Sequence, residues 1–353
     1  MKRKSDVIFI AVIAVIAIAF GVGTLANQGD RISYEENRRL ADVPTVSAER
    51  ILDGSFFGKL SAFCSDRIPF RTQMIRAKSA CELALGKQEN NGVMYTQERL
   101  VDRCIYGSLD TLKESLESVR EFAKNKSAAT VIVPRSADVY TDSEEAAAVR
   151  ALFDDNGLCQ KLRNTDSGYY KTDHHLDANG AFVTYEYVME KLGYTPLPRS
   201  DFALTEVSED FLGTVYSRAG LLPVHRDTVS AWRYEGDSEL RVTCSDVGCS
   251  LCSLYCEAAL GEKDKYRYFL GGNHGCITVR REGEARPKLY LVKDSFANAV
   301  IPLLARHFDL TVYDPRYSPT PPPCPKGATI VILCGLDTLA TTRSFTRPLA
   351  LIN

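Results

Sequence analysis

The stretch Tyr170-Lys171-Thr172-Asp173-His174-His175-Leu176-Asp177 decides how this chain folds and what chemistry it can carry. It places two imidazoles and two carboxylates between a strand-like run and a helix-like run. Asp177, followed by small residues, is typical of a helix N-cap, and the sequence predicts a helix over 181–192. Asp173 and His175 are therefore expected just before a helix, at the rim of an α/β fold, where catalytic groups usually lie.

The D-x-H spacing suits acid/base chemistry. On a short loop, Asp173 can hold one nitrogen of the His175 imidazole while the other nitrogen faces a nucleophile, as in a Ser-His-Asp arrangement. The alternative is a polar loop that only caps the following helix and binds water. The motif by itself does not choose between the two.

The expected nucleophile is Ser295. Residues 288–293 form a short apolar strand that leads to it, and a helix is predicted over 296–307. A serine at a strand-to-helix turn exposes its hydroxyl and places its N–H near the positive end of the helix dipole, which suits a nucleophile facing an oxyanion. The alternative is that Asp294 or Ser295 is only the N-cap of that helix. Together with the D-x-H loop, the pattern favours the nucleophile.

The same stretches carry a family resemblance. Residues 172–176, 269–274 and 293–298 resemble the bacterial DHHW proteins, a family similar to the SGNH-hydrolase-like domains of the alginate O-acetylation proteins. The resemblance extends towards the N-terminus, over residues 36–41, 53–56, 66–71 and 86–92.

The resemblance implies a flavodoxin-like, SGNH-hydrolase-like fold in which Asp173, His175 and Ser295 match the triad positions. It also implies O-acetyl transfer to a polysaccharide or other glycan, with a membrane-bound O-acyltransferase as acyl donor. One departure is Leu176, where the family has a tryptophan. Because leucine has no aromatic ring, sugar stacking is not expected at that position, whereas the proton chemistry is unaffected.

The N-terminus predicts a membrane segment. Three basic residues, 2–4, precede twenty uncharged residues, 7–26, so residues 1–27 are expected to form a transmembrane anchor. A cleaved signal peptide ending near residues 24–26 is the alternative. Either way, residues 28–353 are expected to form one extracytoplasmic domain at the cell membrane, or a secreted domain if the segment is cleaved.

Alternation of strands and helices predicts an α/β fold with a parallel sheet and helices on both faces. Strands are expected at 128–133, 310–313 and 329–334, and helices at 112–123 and 144–162. The alternation of strands and helices is interrupted at about 202–265, where an antiparallel β insertion is expected, including strands at 211–216 and 227–234. Residues 266–270 are expected to return to a strand.

Several residues near these strand ends are second-rank candidates. Gly272 and Asn273 suit an oxyanion or substrate contact, because glycines allow close approach and an amide can donate. Arg135 and Ser136 follow a buried strand and open on the same face. A Gly-rich turn and a polar loop are the respective alternatives. His174 is a further substrate candidate, although its ring is expected to point away from the proton transfer.

Composition limits the partners. The chain has 43 basic and 45 acidic residues, a net charge of −2, and no basic tract in the body, so nucleic acid is not an expected partner. Eleven cysteines include Cys244, Cys249, Cys252 and Cys256. Their spacing is too irregular for a zinc ribbon and favours buried thiols or a local disulfide, with a zinc site as the alternative. No metal or organic cofactor is expected.

The sequence therefore predicts a membrane-anchored serine acyl-ester enzyme that acts on cell-surface or secreted glycan, as an O-acetyltransferase or an acetylesterase. The alternative is a non-catalytic glycan-binding or scaffold protein of an O-acetylation complex that keeps the fold.

Overall fold

The computed structural model describes residues 2–27, 31–96, 98–103, 108–153, 157–222, 224–246, 253–341 and 343–352. The chain divides into two compact units, residues 1–91 with 216–224 and residues 92–215 with 225–353. Every candidate site residue lies in the second unit.

The first unit begins with α1 (Lys2–Ala26). Within it, Ser5–Ala26 is long and apolar enough to cross a membrane, with a mean hydropathy of 2.8 and only 6% of the stretch buried. Ion pairs of Glu36 with Arg38 and Arg71 connect later parts of this unit. Its other elements are β1 (Ile32–Ser33), β2 (Arg38–Arg39), α2 (Ala48–Leu52), α3 (Ser55–Arg67), α4 (Arg71–Ala84) and β3 (Glu89–Asn90).

The second unit contains a six-stranded, mostly parallel sheet. It consists, in spatial order, of β6 (Ala129–Val133), β13 (Thr329–Gly335), β11 (Lys288–Lys293), β12 (Asp309–Tyr313), β10 (Cys276–Arg281) and β9 (Leu240–Cys244). The first four strands are mutually parallel, and β10 and β9 are antiparallel to their neighbours. The predicted α/β class with a central parallel sheet is confirmed.

Side chains of β11 show why both faces of the sheet are covered. Because successive residues of a strand point to opposite faces, Leu289 and Leu291 enter one hydrophobic core while Tyr290 and Val292 enter another. All four are fully buried. Such a strand is apolar throughout, as expected for a parallel strand between two layers of helices.

The helices of the second unit complete these layers. The predicted helix over 144–162 is wrong, because the described chain has α7 and α8 there, with Gly157 at the start of α8. The helices are α5 (Leu109–Lys126), α6 (Ser136–Tyr140), α7 (Glu144–Arg150), α8 (Gly157–Arg163), α9 (Ala178–Lys191), α10 (Thr214–Arg218, where the chain passes between the units), α11 (Ile301–Leu304) and α12 (Leu336–Thr341).

The region predicted as an antiparallel insertion contains a ribbon of β7 (Ala203–Phe211) and β8 (Asp227–Arg233). The predicted strand at 211–216 is wrong, because β7 ends at Phe211 and α10 follows. The predicted strand at 266–270 is also wrong. Residues Lys265–Tyr268 form a 3₁₀ turn, and Phe269 after it makes an isolated β-bridge to Tyr255. Two short strands, β4 (Val93–Tyr95) and β5 (Leu100–Asp102), pair elsewhere in this unit.

Candidate active site

Three side chains meet where the parallel strands end. The Nε2 atom of His175 lies 2.9 Å from Ser295 Oγ, and Nδ1 of the same ring lies 2.6 Å from Asp173 Oδ1. His175 and Asp173 are buried, whereas Ser295 is partly exposed. The residue with the hydroxyl therefore contacts solvent, while the two groups beside it are shielded from water.

The loop that carries His175 is held at both ends. Tyr169 and Leu176 form an antiparallel bridge that closes it, and the Asp177 side chain accepts a 2.9 Å hydrogen bond from Gly180 N at the start of α9. The predicted N-cap is thus confirmed, and α9 begins at Ala178. Leu176 is completely buried in the core, so this position faces away from any ligand.

All acceptor positions of Asp173 are directed at named donors. Its Oδ1 accepts hydrogen bonds from His175 N at 3.0 Å and from the ring, and its Oδ2 accepts from Thr214 N at 2.7 Å and Thr214 Oγ1 at 2.9 Å. Burial opposes ionisation, but the two neighbouring histidines hold the pKa of Asp173 well below its usual value. Asp173 is therefore a carboxylate that fixes which nitrogen of His175 carries hydrogen.

The prediction that His174 points away from the site is wrong, because its ring lies beside that of His175. The two ring centroids are 3.8 Å apart, and His174 Nδ1 is 2.7 Å from the Thr214 hydroxyl. Burial favours the neutral ring, yet Asp173 raises the pKa of His174 to about 9. Burial and the charged His174 lower the pKa of His175 to about 4, in spite of Asp173. At neutral pH, His175 is thus a neutral base.

Tyr266, which sequence reasoning did not select, orients the His175 ring. The two rings are stacked, with centroids 3.8 Å apart and planes inclined by 11°. The Tyr266 hydroxyl also donates a 3.0 Å hydrogen bond to the Ser295 carbonyl oxygen. One side chain therefore contacts both the base and the serine backbone. Its only signal in the sequence is an aromatic-rich segment, whose composition predicts a strand.

Ser295 lies on a sharp turn after β11. Asp294 caps this turn by accepting from Phe296 N at 3.0 Å, and it also accepts from Gly335 N and the Thr338 hydroxyl at 2.7 and 2.6 Å. The predicted helix over 296–307 is wrong: a three-residue 3₁₀ turn, Ser295–Ala297, precedes the short α11, which contains Pro302. Because so short a turn aligns few peptide dipoles, the helix-dipole argument for this serine is lost.

Gly272 and Asn273 are held beside the serine turn by Asn298. The Asn298 side-chain amide donates to Gly272 O at 3.4 Å and to Asn273 Oδ1 at 3.2 Å, while Lys293 Nζ donates to Asn298 Oδ1 at 2.8 Å. Asn273 Nδ2 donates one hydrogen to the Tyr317 hydroxyl, at 3.3 Å. An amide carries two such hydrogens, so a second donor is retained.

Arg135 and Ser136 lie at the predicted strand end but take part in another contact. Arg135 is buried and donates to both carboxylate oxygens of Asp138, at 3.0 and 2.8 Å. Ser136 is buried in the first turn of α6. Within the described ranges, neither side chain has a hydrogen bond to Ser295, His175 or Asp173.

The fold and this arrangement define an α/β protein with a serine, a histidine and an aspartate in hydrogen-bond sequence at the end of a parallel strand. The DHHW protein family profile matches residues 133–314, just over half of the chain, and the chain therefore belongs to the DHHW family. No curated protein matches the sequence.

Solved structures share the fold. A DHHW family protein from Eubacterium siraeum is 18% identical, with a TM-score of 0.57 over 75% of this chain and 97% of that one. Bacillus cereus PatB1, solved with a sulfonyl adduct, is 17% identical, with a TM-score of 0.56 over 72% and 97%. The O-acetyltransferase domain of Pseudomonas putida AlgJ is 12% identical, with a TM-score of 0.39 over 71% of this chain and 93% of that one.

The coupling of the two histidines predicts a pH effect. Replacing His174 with Gln removes a charge that helps to lower the pKa of His175, so that pKa should rise from about 4 towards 6.5. Only the neutral ring can accept a proton. As the pH is lowered, ester turnover by H174Q should therefore begin to fall at a higher pH than turnover by the unchanged protein. The measurement is the pH profile of kcat/KM for a chromogenic acetate ester.

The exposed His225 supplies the control, because H225Q should leave that profile unchanged. If the acidic limb of the kcat/KM profile lies at the same pH in H174Q as in the unchanged protein, or at a lower pH, His174 does not set the charge on His175.

Proposed function

We propose that this protein is a serine acyl-ester enzyme whose nucleophile is Ser295. The observation that carries the proposal is the unbroken series of hydrogen-bond distances from Ser295 Oγ through His175 to Asp173. A low pKa at His175 supports it, because the base is then ready to accept a proton at neutral pH.

In the proposed reaction, Ser295 Oγ attacks the carbonyl carbon of an acyl ester and its proton passes to His175 Nε2. The carbonyl oxygen becomes an oxyanion, for which the Ser295 N–H and the Asn273 amide are the proposed donors. When the intermediate collapses, His175 returns the proton to the leaving alcohol and the acyl group stays on Ser295. A second hydroxyl, from glycan or water, then gives its proton to His175 and takes the acyl group, and His175 returns that proton to Ser295 Oγ as the acyl–serine bond breaks.

The proposed acyl group is acetyl, and the proposed acceptor is a polysaccharide or other glycan outside the cytoplasm. The motifs at residues 172–176, 269–274 and 293–298, through which the DHHW family resembles the alginate O-acetylation proteins, support the choice, and a membrane-bound O-acyltransferase is the proposed donor. The apolar helix Ser5–Ala26 supports attachment to the cell membrane, with residues 28–353 as one extracytoplasmic domain and 202–265 as its insertion.

The experiment is to purify the full chain in detergent and follow acetate release from 4-nitrophenyl acetate, with and without polysaccharide acceptors. Hydrolysis is expected without acceptor, and a transferase should place acetyl on one acceptor in preference to water. Absence of turnover with every acetyl ester, together with measurable binding of glycan, would favour the non-catalytic scaffold. Two observations favour the scaffold as the second candidate: Ser295 is only partly exposed, and Asn273 makes hydrogen bonds with Tyr317 and Asn298.

A further inference from the structure

A second cluster of reactive side chains lies at the edge of the six-stranded sheet. Cys244 ends the edge strand β9, Asp246 follows it, and His274 precedes β10. His274 Nδ1 is 3.6 Å from Cys244 Sγ and 3.7 Å from Asp246 Oδ2. A thiol sulfur, an imidazole nitrogen and a carboxylate oxygen, all within 4.8 Å of one another, therefore converge on one point.

Hydrogen bonds fix the orientation of two of these groups. His274 Nε2 is 2.9 Å from the Leu270 carbonyl oxygen, and because a carbonyl can only accept, Nε2 carries the hydrogen. In the neutral ring, Nδ1 then directs its lone pair at the thiol and the carboxylate. The two oxygens of Asp246 accept from Gly275 N at 2.7 Å and Cys276 N at 3.1 Å. Metal-binding histidines and carboxylates are commonly oriented by such outer hydrogen bonds.

The separations match those around a tetrahedral zinc ion. Zinc–sulfur and zinc–nitrogen bonds of about 2.3 and 2.0 Å place sulfur and nitrogen roughly 3.5 Å apart, and nitrogen and oxygen roughly 3.4 Å apart. The observed distances are 3.6 and 3.7 Å. A thiol–imidazole hydrogen bond would explain only the first distance, and it would leave the 3.7 Å approach of the Asp246 carboxylate to the same nitrogen without a bonding partner between them.

We propose that Cys244, Asp246 and His274 bind a divalent metal ion of the zinc class, with Cys244 as a thiolate. Binding releases the thiol proton to solvent and leaves no other bond changed. This ligand set differs from the cysteine series considered in the sequence, since Cys256 is not in the group and Cys249 and Cys252 lie outside the described residues. It also departs from the expectation of no metal.

The proposed ion would secure the turn that precedes Asn273. Leu270, Gly271 and Gly272 have φ values of 65°, 75° and 115°, a conformation that is costly for Leu270 because it has a side chain. His274 contacts this turn through the Leu270 carbonyl, so a ligand bond to His274 would hold the turn in place. Three protein ligands leave the fourth tetrahedral position of the proposed ion to water, and the contact with the turn does not depend on the reactivity of Ser295.

The test uses the full chain, stripped of metal under reducing conditions and titrated with Zn²⁺ against a chromogenic chelator. One ion per chain is expected, and C244S and H274Q should each weaken binding by at least about 100-fold. C81S, which removes an exposed thiol of α4, is the matched control and should bind as the unchanged protein does. Substitution with Co²⁺ should give a thiolate-to-cobalt charge-transfer band that is missing from C244S.

The proposal is overturned if the unchanged chain takes up no Zn²⁺ or Co²⁺, or if C244S and H274Q bind as tightly as C81S. The latter result would assign the metal to other ligands. Circular dichroism of both variants separates ligand loss from unfolding. Because binding is read without an ester, failure here leaves the proposal for Ser295 intact, and an inactive Ser295 leaves this test unaffected.

Discussion

Replacing Ser295 with Ala should reduce acetyl-ester turnover by about 10³-fold or more, since the variant lacks the atom that accepts the acyl group. Among the described residues, the Ser295 hydroxyl has one hydrogen bond, to His175, and the side chain is partly exposed, so the free energy of unfolding should change by less than about 1 kcal/mol. The measurement is kcat/KM for 4-nitrophenyl acetate beside a thermal melt of the same sample.

Ser118 provides the matched control. It lies on the exposed surface of α5, where its hydroxyl donates to the Glu114 carbonyl oxygen, and S118A should keep full turnover. Equal turnover by S295A and S118A would remove Ser295 from the reaction. A large fall in the melting temperature of S295A would instead assign the serine a structural role.

Replacing Asp173 with Asn should have the second large effect, because every acceptor position of this carboxylate faces a donor. Whichever way the new amide turns, its NH₂ group meets an N–H of His175 or of Thr214. The His175 ring then loses the partner that fixes its tautomer, and turnover should fall by about 10³ to 10⁴-fold. The buried mismatch should also lower the free energy of unfolding by about 1–3 kcal/mol.

Asp227 separates those two effects. It is buried and accepts from Lys171 N, Thr172 N and the Thr172 hydroxyl at 2.8, 2.7 and 2.6 Å, without a contact to the His175 ring. D227N should therefore lose comparable stability but keep kcat per folded molecule. If D173N retained kcat, or if D227N lost as much kcat as D173N, then Asp173 would support the loop and not the base.

Local signals explain which parts of the fold were predictable. Consecutive residues specify the buried strand β11 and the N-cap at Asp177. The α/β class and the DHHW family are predicted from such stretches. Helix ends were less reliable. The run after Ser295 has helical composition, yet the chain makes a 3₁₀ turn there before α11, so tertiary packing overrides local preference.

The site was predictable only where its residues are close in sequence or match a motif. Asp173 and His175 are two positions apart, whereas Thr214 and Tyr266 reach them from segments with no pattern of their own. In the sequence Cys244 belongs to a series of neighbouring cysteines, and its proximity to His274 arises only because β9 and β10 pair. Contacts between distant segments depend on which strands pair with each other, and patterns of consecutive residues do not identify the partner strand.

The central claim is that an imidazole makes a serine hydroxyl nucleophilic, and covalent labelling tests it most directly. The full chain is treated with a fluorophosphonate, and the modified residue and its rate of formation are determined by mass spectrometry. The unchanged protein should form one adduct, on Ser295, and H175Q should form it at least about 100-fold more slowly. Labelling of Ser295 at equal rates in both proteins, or no labelling of the unchanged protein, would contradict the account.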